Sequence, residues 1–138
     1  MPRVTEYPLR VRSTDVDSQG IVNNARYFEF SEQARLAHLR EIDVWGRPRA
    51  NSDGSRGFTI AETTCRFRKP LVGRDEVVVQ AWTEEIRNRS FIFGYRVVMA
   101  SDGTVAAEGS SAQVWLDAEN RPTPLPDDIR RSLEQSMA

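Results

Sequence analysis

A single cysteine, Cys65, and a single histidine, His38, stand in 138 residues. One thiol excludes an internal disulfide framework and any zinc cluster built on several thiolates. One imidazole leaves a Ser-His-Asp triad only His38 to draw on, and no Gly-x-Ser-x-Gly elbow occurs. No apolar run approaches the roughly 20 residues of a membrane span, and the start, MPRVTEYPLRVR, lacks the apolar centre of a secretory signal. Charge excess is missing too. The 19 Lys and Arg nearly balance the 20 Asp and Glu, so no overall field favours nucleic acid or an anionic membrane surface. These absences predict a cytoplasmic protein without metal, nucleic acid or membrane partners. The Asn88-Arg89-Ser90 match to a glycosylation acceptor is then coincidence.

What is present is ordinary for a globular chain. Hydrophobic residues make up 39% and charged residues 28%, enough to bury a core in one domain over 1–138. Thr5 to Arg12 alternates Tyr7, Leu9 and Val11 against Arg10 and Arg12, which predicts a half-buried strand with Pro8 near its start or on an edge. From Asn24 the spacing changes to threes and fours through Tyr27, Phe30, Ala34 and Ala37, so one helix is expected to about Ile42, capped by Asn23 or Asn24. Gly46, Pro48, Asn51, Asp53, Gly54 and Gly57 mark a long loop.

Four β-rich segments follow, at Phe58 to Lys69, Glu76 to Ile86, Ser90 to Ala100 and Val105 to Leu116. Their short connections, including Asp102-Gly103, predict an antiparallel meander. A proline-rich linker then leads to a short helix from about Asp127. The expected class is α+β: a curved antiparallel five-stranded sheet wrapped around one long central helix, with a short C-terminal helix. Phe28, Leu36 and Leu39, outside the main apolar stripe, suggest that the helix is covered on most sides. Exposed sheet edges predict pairing with further copies, as a homodimer or homotetramer.

The stretch TDVDSQGIVNNARYFEF, Thr14 to Phe30, carries the densest chemistry. Asp15-x-Asp17-x-x-Gly20 copies the start of an EF-hand loop, but Arg26 stands where the bidentate glutamate must be, which removes that reading. Two readings stay open. Asp15, Asp17, Ser18 and Gly20 are common turn formers between a strand and a helix. Alternatively, a carboxylate just before a helix N-terminus faces a pocket where free backbone N–H groups and the dipole polarise a carbonyl. Such a site needs neither histidine nor metal, and it suits acyl hydrolysis.

Thr14 to Tyr27, followed by Glu32 and Arg35, resembles the motif of the 4-hydroxybenzoyl-CoA thioesterase-like branch of the hotdog-fold acyl-CoA thioesterases. Phe67-Arg68-Lys69-Pro70-Leu71, with Gly73 and Asp75, and Arg121-Pro122-x-Pro124-Leu125-Pro126 resemble the same family's strand-end and tail patterns. The resemblance implies a hotdog fold and hydrolysis of an acyl-CoA or acyl-carrier-protein thioester, with coenzyme A as part of the substrate and no separate cofactor. It implies Asp17 as catalytic carboxylate, Asn24 as the residue whose N–H meets the thioester carbonyl, and Asp15 as a brace. Gly20, Asn23, Tyr27 and Glu32 would shape the site. Arg87, Arg89 and Ser90, between two strands, are candidate phosphate contacts.

The pattern departs from many relatives where Ile21 and Asn24 occupy places often held by histidine. That departure keeps a second reading in view, a non-catalytic acyl-binding or assembly module on the same fold. A dehydratase is disfavoured because His38 lies mid-helix, where it reads as a helix-face residue rather than a base. Cys65 reads as a small buried hydrophobe, and Trp45, Trp82 and Trp115 as packing or pocket walls.

Overall fold

A computed structural model describes residues 1–44 and 57–138. Most of the predicted loop over 43–57, including Gly46, Pro48, Asn51, Asp53 and Gly54, lies outside the described residues, as does Trp45. The chain forms β1 (Val4–Arg10), a single 3-10 turn (Ser13–Asp15), α1 (Asn24–Glu41), β2 (Gly57–Phe67), β3 (Glu76–Ile86), β4 (Ser90–Met99), β5 (Val105–Leu116) and α2 (Asp127–Met137). The predicted bounds hold for β3 and β5, while β1 and β2 end about a turn's width sooner than expected. None of the described helices is long and apolar enough to cross a membrane.

All strands join one antiparallel sheet in the order β1-β3-β4-β5-β2. Pro8 therefore sits on an edge strand, where a missing N–H is tolerated. Only β3, β4 and β5 form a meander, which corrects the expectation of four strands in sequence. The link from β2 to β3 crosses the end of the sheet instead of turning back. Its backbone is engaged elsewhere: Leu71 O accepts from Val22 N–H at 2.8 Å, and Ile21 bridges Val72. Register slips occur at Ile60/Glu62, Thr83/Glu85 and between Val97 and Val98. Each bulge bends its strand and adds twist, curving the sheet about α1 in the hotdog arrangement.

One face of that sheet supplies the core. Val77, Val79 and Ala81 of β3 and Phe91, Phe93, Tyr95 and Val97 of β4 pack against Tyr27, Phe30, Ala34 and Leu39 of α1. Helix α2 adds Ile129 and Leu133. The single sheet covers α1 on one side only: Leu39 is buried and Leu36 half-buried, but Phe28 is 40% exposed. The expectation of a helix covered on most sides is thus corrected for one chain. Cys65 is only half-buried, on the partly covered strand β2.

His38 lies at the heart of this packing, not on an exposed helix face. It is fully buried, its ring edge against Phe93. Ser136 donates to Thr83 at 2.7 Å, Thr83 lies 3.1 Å from His38 Nε2, Nδ1 lies 2.7 Å from Thr5 Oγ1, and Thr5 donates to Glu41 at 2.7 Å. Because the Glu41 carboxylate only accepts, Thr5 must receive a proton from Nδ1–H, and Nε2 accepts from Thr83. One chain of hydrogen bonds therefore joins α2, β3, α1 and β1 around a neutral imidazole.

Burial lowers the His38 pKa from 6.5 to about 4, against the opposing pull of Glu41. Between those pH values the unfolded chain binds the extra proton, so stability rises with pH across the window and is lost as pH falls from about 6.5 towards 4. The loss should be on the order of 3 kcal/mol. Denaturant unfolding between pH 7.5 and 4 should show this slope in the parent and a flatter one in His38→Gln. Equal slopes would exclude the buried-imidazole account.

Candidate active site

The site is built where the chain passes from β1 into α1. Asp15 is the anchor, with only 1% exposure. Its carboxylate accepts from Arg12 N–H at 2.8 Å and from the Arg12 guanidinium at 3.1 Å, and Arg26 Nε lies 3.7 Å away. Burial opposes its charge, but the hydrogen bonds from Arg12 and the charges of Arg12 and Arg26 outweigh it and hold the carboxyl below its usual range. Its backbone oxygen also accepts Asn23 N–H at 2.9 Å. Asp15 is therefore the brace that the sequence suggested. Arg12 and Arg26, its partners, were not singled out from sequence; two arginines flanking the acidic motif were the available signal.

From this anchor a small hairpin projects. Val16 bridges Val22, Asp17 N–H donates to Ile21 O at 2.8 Å, and Gly20 N–H closes the turn on Asp17 O at 3.0 Å. Gly20 has φ 85, a conformation that residues with a side chain rarely adopt. Asp17 is exposed, and its Oδ1 accepts from Gln19 N–H at 2.8 Å and Ile21 N–H at 3.4 Å. The turn-forming role of Asp17 is thus real. Its second oxygen, Oδ2, has no hydrogen bond among the described residues.

Helix α1 begins immediately after the hairpin. Asn23 is the N-cap, its side chain accepting Ala25 N–H at 2.9 Å, and Arg26 N–H returns to Asn23 O. Asn24 N–H has no intramolecular partner among the described residues. The first turn also contains no acidic residue, so nothing within the helix offsets the positive end of its dipole.

Asn24 lines a cavity of about 220 Å³ formed with Ile21, Val22 and Tyr27 on one side and Phe67 to Pro70 on the other. Tyr27 is buried, its ring edge-to-face with Phe67 at 4.9 Å. Of the expected site residues the structure brings Asn24 and Tyr27 to this cavity, with Asn23 and Gly20 in the adjoining cap and turn. Asp17 stands in the neighbouring hairpin outside the cavity lining. Glu32 lies farther along α1, exposed, with Arg35 at 3.9 Å. Arg87 and Arg89 occupy the β3–β4 turn and Ser90 opens β4; Arg87 O and Asn88 O accept from Arg130 of α2. That turn is at the opposite end of the sheet from the cavity, so one chain does not bring the two together.

A free amide end of a helix beside a partly unengaged carboxylate is an arrangement that can polarise a carbonyl and attack it or activate water. Known proteins share the fold that carries it. The chain is 27% identical over 130 residues to Long-chain acyl-CoA thioesterase FadM of Escherichia coli, covering 94% of this chain and 96% of that one. It is 29% identical over 130 residues to a chloroplastic acyl-acyl carrier protein thioesterase of Arabidopsis thaliana, covering 94% of this chain and 67% of that protein. A Thermus thermophilus thioesterase solved in complex with coenzyme A superposes with TM-score 0.79 at 30% identity, over 95% of this chain and 92% of that one. With the family's own sequence model matching residues 11–133, the chain belongs to the Thioesterase-like superfamily.

Proposed function

We propose that this protein hydrolyses an acyl-CoA or acyl-carrier-protein thioester to a free acid and a thiol in the cytoplasm, at the N-terminus of α1. Membership in the Thioesterase-like superfamily and the thioesterase names of its relatives support that class of reaction. The observation that carries the siting is the Asn24 N–H, without a partner among the described residues, on a cavity at the positive end of a helix. The thioester oxygen docks against that N–H, which stabilises the negative charge developing on it in the transition state.

Asp17 supplies the electron pair. Its Oδ1 is held by the loop's own N–H groups, which orients the carboxylate and leaves Oδ2 for chemistry. Either Oδ2 attacks the acyl carbon, the C–S bond breaks and the thiolate leaves, after which water cleaves the resulting anhydride; or Asp17 takes a proton from water and the hydroxide attacks directly. Both routes end in the same acid and thiol. No histidine is required by either.

A second copy completes the site in this reading. Phe67 faces the helix side of β2 yet is 43% exposed, β2 is an open sheet edge, and a cavity of about 220 Å³ is too small for a whole acyl-pantetheine unit. Pairing β2 with its equivalent in another chain would cover both the edge and the ring.

Thiol release from short, long and aromatic acyl-CoA thioesters tests the proposal. Asp17→Asn should lower kcat by roughly two to four orders of magnitude with the unfolding midpoint unchanged. Near-normal turnover in that variant removes Asp17 from the chemistry, and retention of ligand without any turnover in the parent favours a binding module. Gly20→Val has open space around it but must adopt φ 85. It should therefore reduce kcat by misdirecting the hairpin, and an unchanged rate would show that the turn does not position the carboxylate.

A further inference from the structure

Lysine is almost absent from this chain. Of the 19 Lys and Arg, 18 are Arg, and the only lysine is Lys69. The two residue types differ chemically: a guanidinium stays protonated, whereas an ammonium can lose its proton and become an amine that attacks a carbonyl carbon. The protein's one side-chain amine lies beside the candidate site. Lys69 is exposed and lines the cavity onto which Asn24 opens.

Its backbone is fixed there. Arg68 N–H and Lys69 N–H both donate to Ala106 O, at 2.9 and 3.0 Å, and Pro70 follows with its ring-locked φ. Arg68 is engaged by Glu108 at 2.8 Å, but among the described residues no carboxylate is in ion-pair contact with Lys69. Asp102 of the β4–β5 turn feels the Lys69 charge without pairing with it. A cavity of about 220 Å³ is small enough for a four-carbon side chain on one wall to reach a group held at the other. The amine and the helix end that polarises a carbonyl thus share one compartment.

We propose that Lys69 is an acylation site, taking the acyl group from a thioester whose carbonyl docks on the Asn24 N–H. This rests on the siting of the thioester in the thioesterase reading, not on its hydrolysis. Lys69 first gives its ammonium proton to solvent. The Nζ lone pair then attacks the acyl carbon, the C–S bond breaks, and a second proton passes from nitrogen to the departing thiolate. The products are an amide on Lys69 and a free thiol. The amide leaves the acyl group in the cavity and removes a positive charge from its mouth, which closes the site to further substrate.

The test is peptide mass spectrometry after incubating Asp17→Asn with a short-chain acyl-CoA at about pH 8.5, where a small fraction of lysine amine is unprotonated. The N-terminal α-amine is the internal control, because Met1 and Pro2 border a different cleft, with Glu41 at the far end of α1. Free α-amines ordinarily deprotonate before lysines, so undirected acylation marks the N-terminus first. Acylation directed by the cavity should instead mark Lys69 at least about tenfold faster than the N-terminus, as proximity to a bound acyl group implies. A thioether analogue of the same acyl-CoA should suppress the Lys69 mark and leave the N-terminal mark unchanged. Asn24→Pro removes the polarising N–H, yet proline suits the first position of a helix and Asn23 before it is already extended, with φ -60 and ψ 134. Added to Asp17→Asn, it should slow the Lys69 mark roughly a hundredfold, the cost of one lost oxyanion donor.

A Lys69 mark no faster than the N-terminal one, or one indifferent to the thioether analogue or to Asn24→Pro, overturns the proposal. In the parent, hydrolysis competes for the same thioester, so the mark should form more slowly and thiol release should decline as it accumulates. Undiminished release from fully marked protein overturns the closing of the site. Equal marking of parent and Asp17→Asn, with no thiol beyond that matched by amide, keeps Lys69 and defeats the hydrolase reading alone. Hydrolysis with no mark on Lys69 does the reverse.

Discussion

The geometry of the candidate site depends on one buried charge. Asp15 is almost wholly removed from solvent yet ionised, and a buried carboxylate is tolerated only while its partners stay in place. Those partners come from both sides of the functional loop: Arg12 precedes it and Arg26 lies in the first turn of α1. Through them, and through Asn23 N–H on the Asp15 carbonyl, the hairpin bearing Asp17 is locked to the helix end bearing Asn24.

The rest of the fold serves the same end of the helix. The segment between β2 and β3 bonds the hairpin through Leu71 and Val72 as it crosses between strands that are not neighbours in the sheet. Its exit, Phe67 to Pro70, becomes a cavity wall. The other end of α1 is closed by contrast. There the His38 network ties four elements together around a neutral ring, and its polar groups are satisfied within the fold. The buried polar network lies in the C-terminal half of the helix, and the proposed chemistry lies at its N-terminus. That separation lets an exposed, partly engaged carboxylate such as Asp17 persist without weakening the core.

Much of this was legible in the sequence because it rests on local rules. Alternation and turn residues located the strands, the change to helical spacing located α1, and Asn23 was readable as a cap because its side-chain oxygen can reach the next amides. The motif around Asp15 and Asp17 separated brace from candidate catalyst correctly for the brace. What escaped was set by long-range pairing. The place of β2 in the sheet is set by its pairing with β5, and the 68–75 segment that leaves it bonds Val11, Val22 and Ala106, residues far from it in the sequence. His38 read only as a helix-face residue because nothing nearby in sequence announces Thr5, Thr83 and Ser136 as its partners. The reach of Arg87 and Arg89 likewise turned on which end of the sheet their turn occupies.

The most direct test of the central claim is a crystal structure of the Asp17→Asn variant with an intact acyl-CoA thioester. The account predicts the thioester carbonyl oxygen about 2.9 Å from Asn24 N, in hydrogen-bond geometry, with the residue 17 side chain facing the acyl carbon. A thioester bound elsewhere, or bound with its carbonyl turned away from the start of α1, would contradict it.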